Sequence, residues 1–297
     1  MSKVLITGAS GFISLHLVEA SLLRGWDVIG VDLLPFEHAI NHPRLQFIQK
    51  DVRDLTLSDL NGIDYIFHLA FVTNIPNSVQ HPLETTRDNI DMTAYLLDLA
   101  TKASIKKLVF PSTASLYGNN PTPWQEDMFA DPIEPYSWQK LSCEYACKMW
   151  NARYGLPTVV FRLFQVFGEN QRKDSALYAF FQAKKSGRPM TLTETTAQSS
   201  FRTGQRDYVY VKDIARAFIK AAESEKTGHG ETINVGSGTV NTVEEVAKAI
   251  GGKITFIPRR GYEVERHEAD LTRARELLNW QASVNILDWL KEFVKTL

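Results

Sequence analysis

Only two cysteines occur in the 297 residues, Cys143 and Cys147, four positions apart. So sparse a supply excludes a disulfide framework and argues against a metal centre. It fits small buried side chains in a reducing compartment, and no metal is expected. No apolar run is long enough to span a bilayer, and no leader pattern opens the chain. Charge of either sign is nearly balanced, with a formal net of -1, which gives no reason to expect a nucleic acid or an acidic membrane as partner. An anionic ligand must therefore be met by a local basic cluster. Repeats and low-complexity tracts are also missing, and the expectation is a soluble cytoplasmic protein. What is present is ordinary globular composition, 44% hydrophobic and 23% charged, in a chain long enough for one large domain or one domain with a smaller annex.

The chain is organised around its first fifteen or so residues. Val4 to Ile6 is a short apolar run that reads as a buried strand, and Thr7, Gly8 and Gly11 make a tight turn. From Phe12 onward, Phe12, Leu15, Val18 and Leu22 recur at helical spacing. Strand, glycine turn and helix in that order present backbone N–H groups and the positive end of a helix dipole to an anion. Glycine lets a pyrophosphate approach where a side chain would block it. Gly25 then breaks the helix, and Val28-Ile29-Gly30-Val31 forms a second strand that ends in Asp32. An acid there is placed for the adenosine ribose hydroxyls of NAD and repels the additional phosphate of NADP, and no arginine immediately follows it. Ser14 stands where a third glycine is usual, a small residue that calls for only a slight shift in helix packing.

Further strands are read at Leu45–Ile48, Ile63–Ala70, Lys107–Pro111 and Thr158–Leu163, with an amphipathic helix over Asn89–Ala103. Alternating strands and helices are the pattern of a doubly wound parallel α/β sheet. Residues just past the carboxyl ends of such strands face the ligand crevice, which places Asp51 and Val52 near an adenine, and Ala70 and Phe71 near a pyrophosphate. His68 is read as a core histidine. Beyond the fifth strand, Ser112-Thr113-Ala114-Ser115 sets hydroxyls at the strand's end, and Tyr136 and Lys140, four apart, share one face of the helix that begins at Pro135. A phenol ordinarily titrates near pH ~10, and a neighbouring ammonium together with a nicotinamide cation favours its phenolate. Tyr136 would then take a proton from a sugar hydroxyl as hydride leaves for NAD, with Thr113 bonded to the same hydroxyl.

With these segments in place the chain resembles the extended short-chain dehydrogenase/reductase family, in its NAD-dependent sugar-nucleotide epimerase/dehydratase branch. The resemblance covers nearly the whole chain. It rests on Thr7-Gly8-Ala9-Ser10-Gly11-Phe12-Ile13, Asp32, His68-Leu69-Ala70, Ser112-Thr113, Tyr136 with Lys140, Arg206-Asp207-Tyr208-Val209-Tyr210-Val211, Asn234-Val235-Gly236-Ser237-Gly238, and Arg266 with Ala269-Asp270. It implies a Rossmann-like sheet with a smaller C-terminal α/β substrate-binding domain. The NAD-binding unit would be 1–168 with 206–235, and the sugar-nucleotide unit 169–205 with 236–297. It implies Tyr136 as base, Lys140 on the nicotinamide ribose, Thr113 completing a triad, and cofactor contacts from Gly8, Ser10, Gly11, Phe12, Ile13, Asp32, Asp51, Val52, Leu69, Ala70 and Asn89.

Gln165 replaces the family's usual asparagine on the substrate diphosphate, keeping the amide but lengthening its arm. Arg206 and Arg266 are read as the two arms of a diphosphate clamp, since guanidinium forks suit phosphate oxygens. Residues 193–205 are expected to form a loop or lid over the nucleotide, and Thr242 with Glu245 a capping box. Family members that expel water carry an Asp-Glu pair directly after the catalytic threonine. Here Ala114-Ser115 follows Thr113, which favours a 4-epimerase of a nucleoside-diphosphate hexose, with a uridine nucleotide preferred, over a 4,6-dehydratase or a reductase. A non-catalytic NAD-binding sensor would lack the tyrosine or the lysine. Family members pair as homodimers through helices corresponding to 89–103 and 136–153, so a homodimer is expected.

Overall fold

The central strands have to be apolar on both sides, and the alternation of their side chains shows why. In β1 (Lys3–Thr7), Val4 and Ile6 join one buried cluster and Leu5 joins another. In β6 (Thr158–Leu163), Val159 and Phe161 face the first cluster and Val160 the second. The computed structural model describes residues 2–259 and 264–297. It contains a seven-stranded sheet in the order β10-β6-β5-β4-β1-β2-β3, every neighbouring pair parallel. The other members are β2 (Asp27–Asp32), β3 (Leu45–Gln49), β4 (Tyr65–His68), β5 (Lys107–Thr113) and β10 (Glu231–Val235).

Helices cover both faces. On one side α1 (Phe12–Leu23) packs against α7 (Val211–Glu223), with Leu17, Val18 and Phe218 in the shared core. On the other, α4 (Met92–Lys102) packs against α5 (Pro135–Tyr154), burying Leu96, Leu97, Cys143 and Cys147. Both cysteines are free thiols. The strand order reverses at β1, with β2 on one side and β4 on the other. At such a switch point the connections leave in opposite directions and open a crevice beyond the carboxyl ends of the strands. The Asn89–Ala103 reading is refined here. The short helices α2 (Ile75–Gln80) and α3 (Pro82–Thr86) come first, then a single π turn over Arg87–Asp91 that carries Asn89, then α4.

A second, smaller body follows. Strands β7 (Gln165–Phe167), β9 (Gln205–Tyr210) and β11 (Val240–Thr242) form one small sheet, and β8 (Met190–Thr193) pairs with β12 (Ile254–Ile257). Helices α6 (Ala176–Lys185), α8 (Val243–Ile250) and α10 (Ile286–Phe293) bury Phe180, Phe181, Ile250 and Leu290 against them, and α9 (Thr272–Leu278) returns to the main core. The expected box at α8 is formed: Glu245 N–H donates to Thr242 Oγ1 at 3.0 Å, and Thr242 N–H donates to Glu245 Oε2 at 2.7 Å. The 193–205 stretch is closed by a bridge between Glu194 and Thr203, and the Arg202 guanidinium lies 3.3 Å from the centre of the Phe256 ring.

Candidate active site

The crevice at the switch point is a cavity of about 880 Å³. One wall is the glycine turn. Gly8 has φ +67°, and a β-carbon on it would sit 2.6 Å from the backbone nitrogen of Ala70, so the turn seats directly against the chain leaving β4. Gly11 caps α1 without any side-chain bond, leaving the N–H groups of the first turn, including those of Phe12 and Ile13, to an external acceptor. Asp32 stands at the end of β2, where Oδ2 accepts from Ser10 N–H and Oδ1 from Leu34 N–H, each at 2.9 Å. Gly8, Ser10, Gly11, Phe12, Ile13, Asp32, Asp51, Val52, Leu69 and Ala70 all line this cavity. The Asp51 carboxyl, bonded by the Arg53 side chain, is held below the usual carboxylate range.

Asn89 does not line the cavity. It is fully buried, its Oδ1 accepts from Val72 N–H at 2.7 Å, and its Nδ2 donates to Val72 O at 3.2 Å and to Gln139 Oε1 at 2.8 Å. With both ends of the amide occupied, its part is to fix the 69–76 loop that forms the cavity wall. His68 is likewise enclosed between the hydroxyls of Thr7 (2.8 Å) and Thr93 (3.1 Å), and burial holds it down to about 3, a neutral core histidine.

The opposite wall is the end of β5 with the start of α5. Lys140 Nζ donates to Pro111 O at 2.7 Å and lies 3.6 Å from the centre of the Phe71 ring. Burial lowers its ammonium to about 7. Thr113 Oγ1 is 2.5 Å from Ser115 Oγ and also hydrogen-bonds the Tyr136 phenol. Burial pushes that phenol up to about 12, and the strongest opposing influence is the Arg172 guanidinium, not Lys140. Among the described residues two buried polar atoms, Ser112 Oγ and Gln171 Oε1, have no hydrogen-bond partner, and both belong to residues lining this cavity. Unsatisfied atoms of this kind are expected where a ligand completes the bonding. The glycine cradle, the uncapped helix and the orphaned hydroxyl and amide together fit a dinucleotide.

Gln165 lines the same cavity from β7. Arg206 and Arg266 do not. A parallel bridge joins Gln205 to Arg266; Arg206 Nη1 donates to Glu265 O at 3.2 Å, and Arg266 Nη1 donates to Gln205 Oε1 at 2.9 Å. Arg266 lines a second cavity of about 350 Å³ with Arg259 and Asn120. Asp207 is fully buried, accepting from the N–H groups of Ser237 (2.6 Å), Gly238 (2.9 Å) and Ala269 (3.2 Å), and so ties β9 to the turns after β10 and before α9. Sequence reading passed over Gln171, Arg172 and Asp174, which also line the main cavity. Their signal was present: a polar run directly after a strand that ends in a Gly168 turn.

Fold and site together define a dinucleotide-dependent enzyme of the Rossmann type. Residues 4–236 match the profile of the NAD dependent epimerase/dehydratase family, and the chain belongs to that family. It is 31% identical over 316 residues to a UDP-glucose 4-epimerase of Mycolicibacterium smegmatis, covering 99% of this chain and 97% of that one. Among solved structures, a UDP-N-acetylglucosamine 4-epimerase from Methanobrevibacter ruminantium, in complex with UDP-N-acetylmuramic acid, superposes with a TM-score of 0.89 at 30% identity, covering 99% and 97% of the two chains. A UDP-glucuronic acid 4-epimerase from Bacillus cereus, in complex with UDP-glucuronic acid and NAD, superposes with a TM-score of 0.87 at 28% identity over 99% of each.

Proposed function

We propose that this protein is an NAD-dependent UDP-sugar 4-epimerase. The observation that carries the reading is the convergence of the β1–α1 glycine turn with Thr113, Tyr136 and Lys140 on one cavity, in a chain whose relatives over nearly its full length include 4-epimerases of UDP-sugars. NAD, when bound, supplies a hydride acceptor that takes hydride from the sugar's C4 and later returns it. The protein's task is the proton. Tyr136 accepts the 4-hydroxyl proton and gives it back, while Thr113 and Ser115 orient that oxygen. Lys140, one turn along the same helical face and turned to Pro111 O in this structure, would hold the nicotinamide ribose. Inversion requires the oxidised sugar to present its other face before hydride returns, which is why the substrate must be held by its nucleotide and diphosphate and not by the reacting ring.

Gly8, Ser10, Gly11, Phe12, Ile13, Asp32, Asp51, Val52, Leu69 and Ala70 hold the cofactor, with Asn89 behind them. Gln165 takes the substrate diphosphate from the cavity wall, and Arg206 and Arg266, which lie outside that cavity in this structure, are its outer clamp. The cofactor unit is 1–168 with 206–235, and the nucleotide-sugar unit is 169–205 with 236–297. Ala114 and Ser115 provide neither an acid nor a base, which disfavours loss of water. A homodimer is proposed through α4 and α5, where Tyr95, Trp138, Tyr145 and Met149 are exposed; Trp138, Tyr145 and Met149 recur at helical spacing along α5. A cytoplasmic setting accords with two cysteines kept as thiols.

The test is to incubate the purified protein with a panel of nucleotide sugars, without added NAD, and resolve products by chromatography with mass detection. A new peak of unchanged mass from a UDP-sugar is expected. A peak lighter by one water refutes the epimerase reading, and turnover unaffected by Tyr136→Phe refutes the base.

A further inference from the structure

One ring meets both members of the Tyr136–Lys140 pair. Phe71, on the loop leaving β4, has its ring centre 3.6 Å from Lys140 Nζ, which lies over the face. The same ring meets that of Tyr136 edge-to-face, with centres 6.0 Å apart. Phe110 of β5 adds a second ring 4.5 Å from the ammonium. Lys140 is only 3% exposed, and its one hydrogen bond among the described residues goes to Pro111 O at 2.7 Å. An ammonium carries more donors than that, and a buried charge is costly unless its remaining sides are met. Here they meet aromatic faces, whose electron-rich surface attracts a cation. The chain pins Phe71 from both neighbours. Ala70 N–H donates to Thr7 Oγ1 at 3.2 Å, and the Asn89 amide bonds the backbone of Val72 at both N–H and C=O. A β-carbon on Gly8 would press on Ala70 as well, so the loop that carries Phe71 is the one on which the glycine turn closes. Phe71, Tyr136 and Lys140 all line the main cavity, whereas Phe110 does not.

We propose that Phe71 is a positioning residue for the reacting pair: the face of its ring holds the Lys140 ammonium against Pro111 O from the cavity side, and its contact with Tyr136 fixes the phenol one turn away. This rests on Tyr136 and Lys140 being the reacting pair. The other groups around the ammonium leave that task to the rings. On α5, Glu144 favours the charge but is committed to Arg162 of β6, Oε2 accepting from Nη2 at 2.8 Å. Burial pushes the thiols of Cys143 and Cys147 up, so they stay protonated. Burial likewise keeps His68 of β4 and the Tyr136 phenol uncharged at neutral pH. From β5 come one carbonyl and the Phe110 ring. An aliphatic side chain in place of Phe71 would fill the space and leave the charge unmet on its cavity side. Because the glycine turn presses on the same loop, a shift of the cofactor wall is also a shift of both reacting side chains.

The experiment is an NMR titration of Cε-labelled lysines in the NAD-loaded enzyme, with Lys140→Met identifying the Lys140 signal. Phe71→Met keeps an apolar side chain of similar size without the ring. It is expected to lower the Lys140 midpoint by about one pH unit, which is about tenfold less ammonium at any pH above the wild-type midpoint. Phe71→Tyr keeps the ring and is expected to hold the midpoint within about 0.3 unit of wild type, a rescue that a merely space-filling role would not require. Phe71 is only partly buried, so these variants are expected to fold, and Phe71→Leu supplies a second side chain without a ring. An unmoved midpoint in the Met and Leu variants, or a Tyr variant shifted as far as they are, overturns the proposal. The titration needs no turnover. Failure of the 4-epimerase reading would appear separately, as absence of product from every nucleotide sugar, while this coupling stays measurable.

Discussion

Gly8→Ala isolates the contact that holds the cofactor wall together. Two costs add. The first is backbone: at φ +67° an L-residue is held in the left-handed region, at about 1 kcal/mol or somewhat more. The second is overlap. The new β-carbon would meet Ala70 N at 2.6 Å, Ala70 Cα at 2.8 Å and Leu69 C at 2.8 Å. All three are main-chain atoms, so no side chain can rotate away, and the segment leaving β4 must move. Overpacking of that kind costs about 1–3 kcal/mol, giving roughly 3 kcal/mol in total. Gly62 supplies the control, because it has φ +72° and nothing within 4 Å of its would-be β-carbon. Gly62→Ala should cost only the backbone part, about 1 kcal/mol. Urea unfolding of the two variants, followed by tryptophan fluorescence, gives the difference directly, and NAD titration of each gives its functional share. NAD affinity should fall at least about tenfold in Gly8→Ala and stay unchanged in Gly62→Ala. Equal destabilisation by the two substitutions would refute the close seating of the turn on Leu69 and Ala70.

Three further outcomes follow from other parts of the site. Lys140 is lowered by burial from 10.5 to about 7, so between those values the unfolded chain holds a proton that the native state does not. Wild-type stability must then rise with pH across that window. Lys140→Met should be more stable than wild type at pH ~6 by roughly 3 kcal/mol, and this gain should fade toward pH ~10; a gain that is flat with pH in thermal melts of the two proteins would contradict the burial argument. Asp207→Ala leaves the buried N–H groups of Ser237, Gly238 and Ala269 without their acceptor and should cost about 3–5 kcal/mol in urea unfolding; a loss under about 1 kcal/mol would mean those donors find other partners. Asp32→Ala should weaken NAD and narrow its advantage over NADP, read by titrating each cofactor; tighter NADP with undiminished NAD would overturn the assignment of Asp32.

The parts legible in the sequence are those whose cause is local or composition-wide. Strands β1, β5 and β6 each contain an unbroken apolar run, Val4–Ile6, Leu108–Pro111 and Val159–Phe161, because helices cover both faces, so each announced itself. The turn at Gly8 was legible because its conformation demands glycine, and Asp32 because it follows its strand directly. The short strands β7, β8, β11 and β12 were not, since three or four residues carry no readable period, and each exists only through a partner far along the chain, as Gln165 pairs with Tyr208. The same reason hid Arg172. Its place on the cavity wall is set by β7 joining β9 and by the turn at Gly168, neither of which has a pattern of its own. Asn89, a cofactor contact by resemblance, sits in the π turn with its amide turned inward onto the Val72 backbone, which no spacing in the sequence announces. The Tyr136–Lys140 spacing put both side chains on one helical face, but spacing cannot say where an ammonium points. Here it points to Pro111 O between two phenylalanine rings. The Rossmann half is thus the more legible in sequence, because it is built from elements that specify themselves.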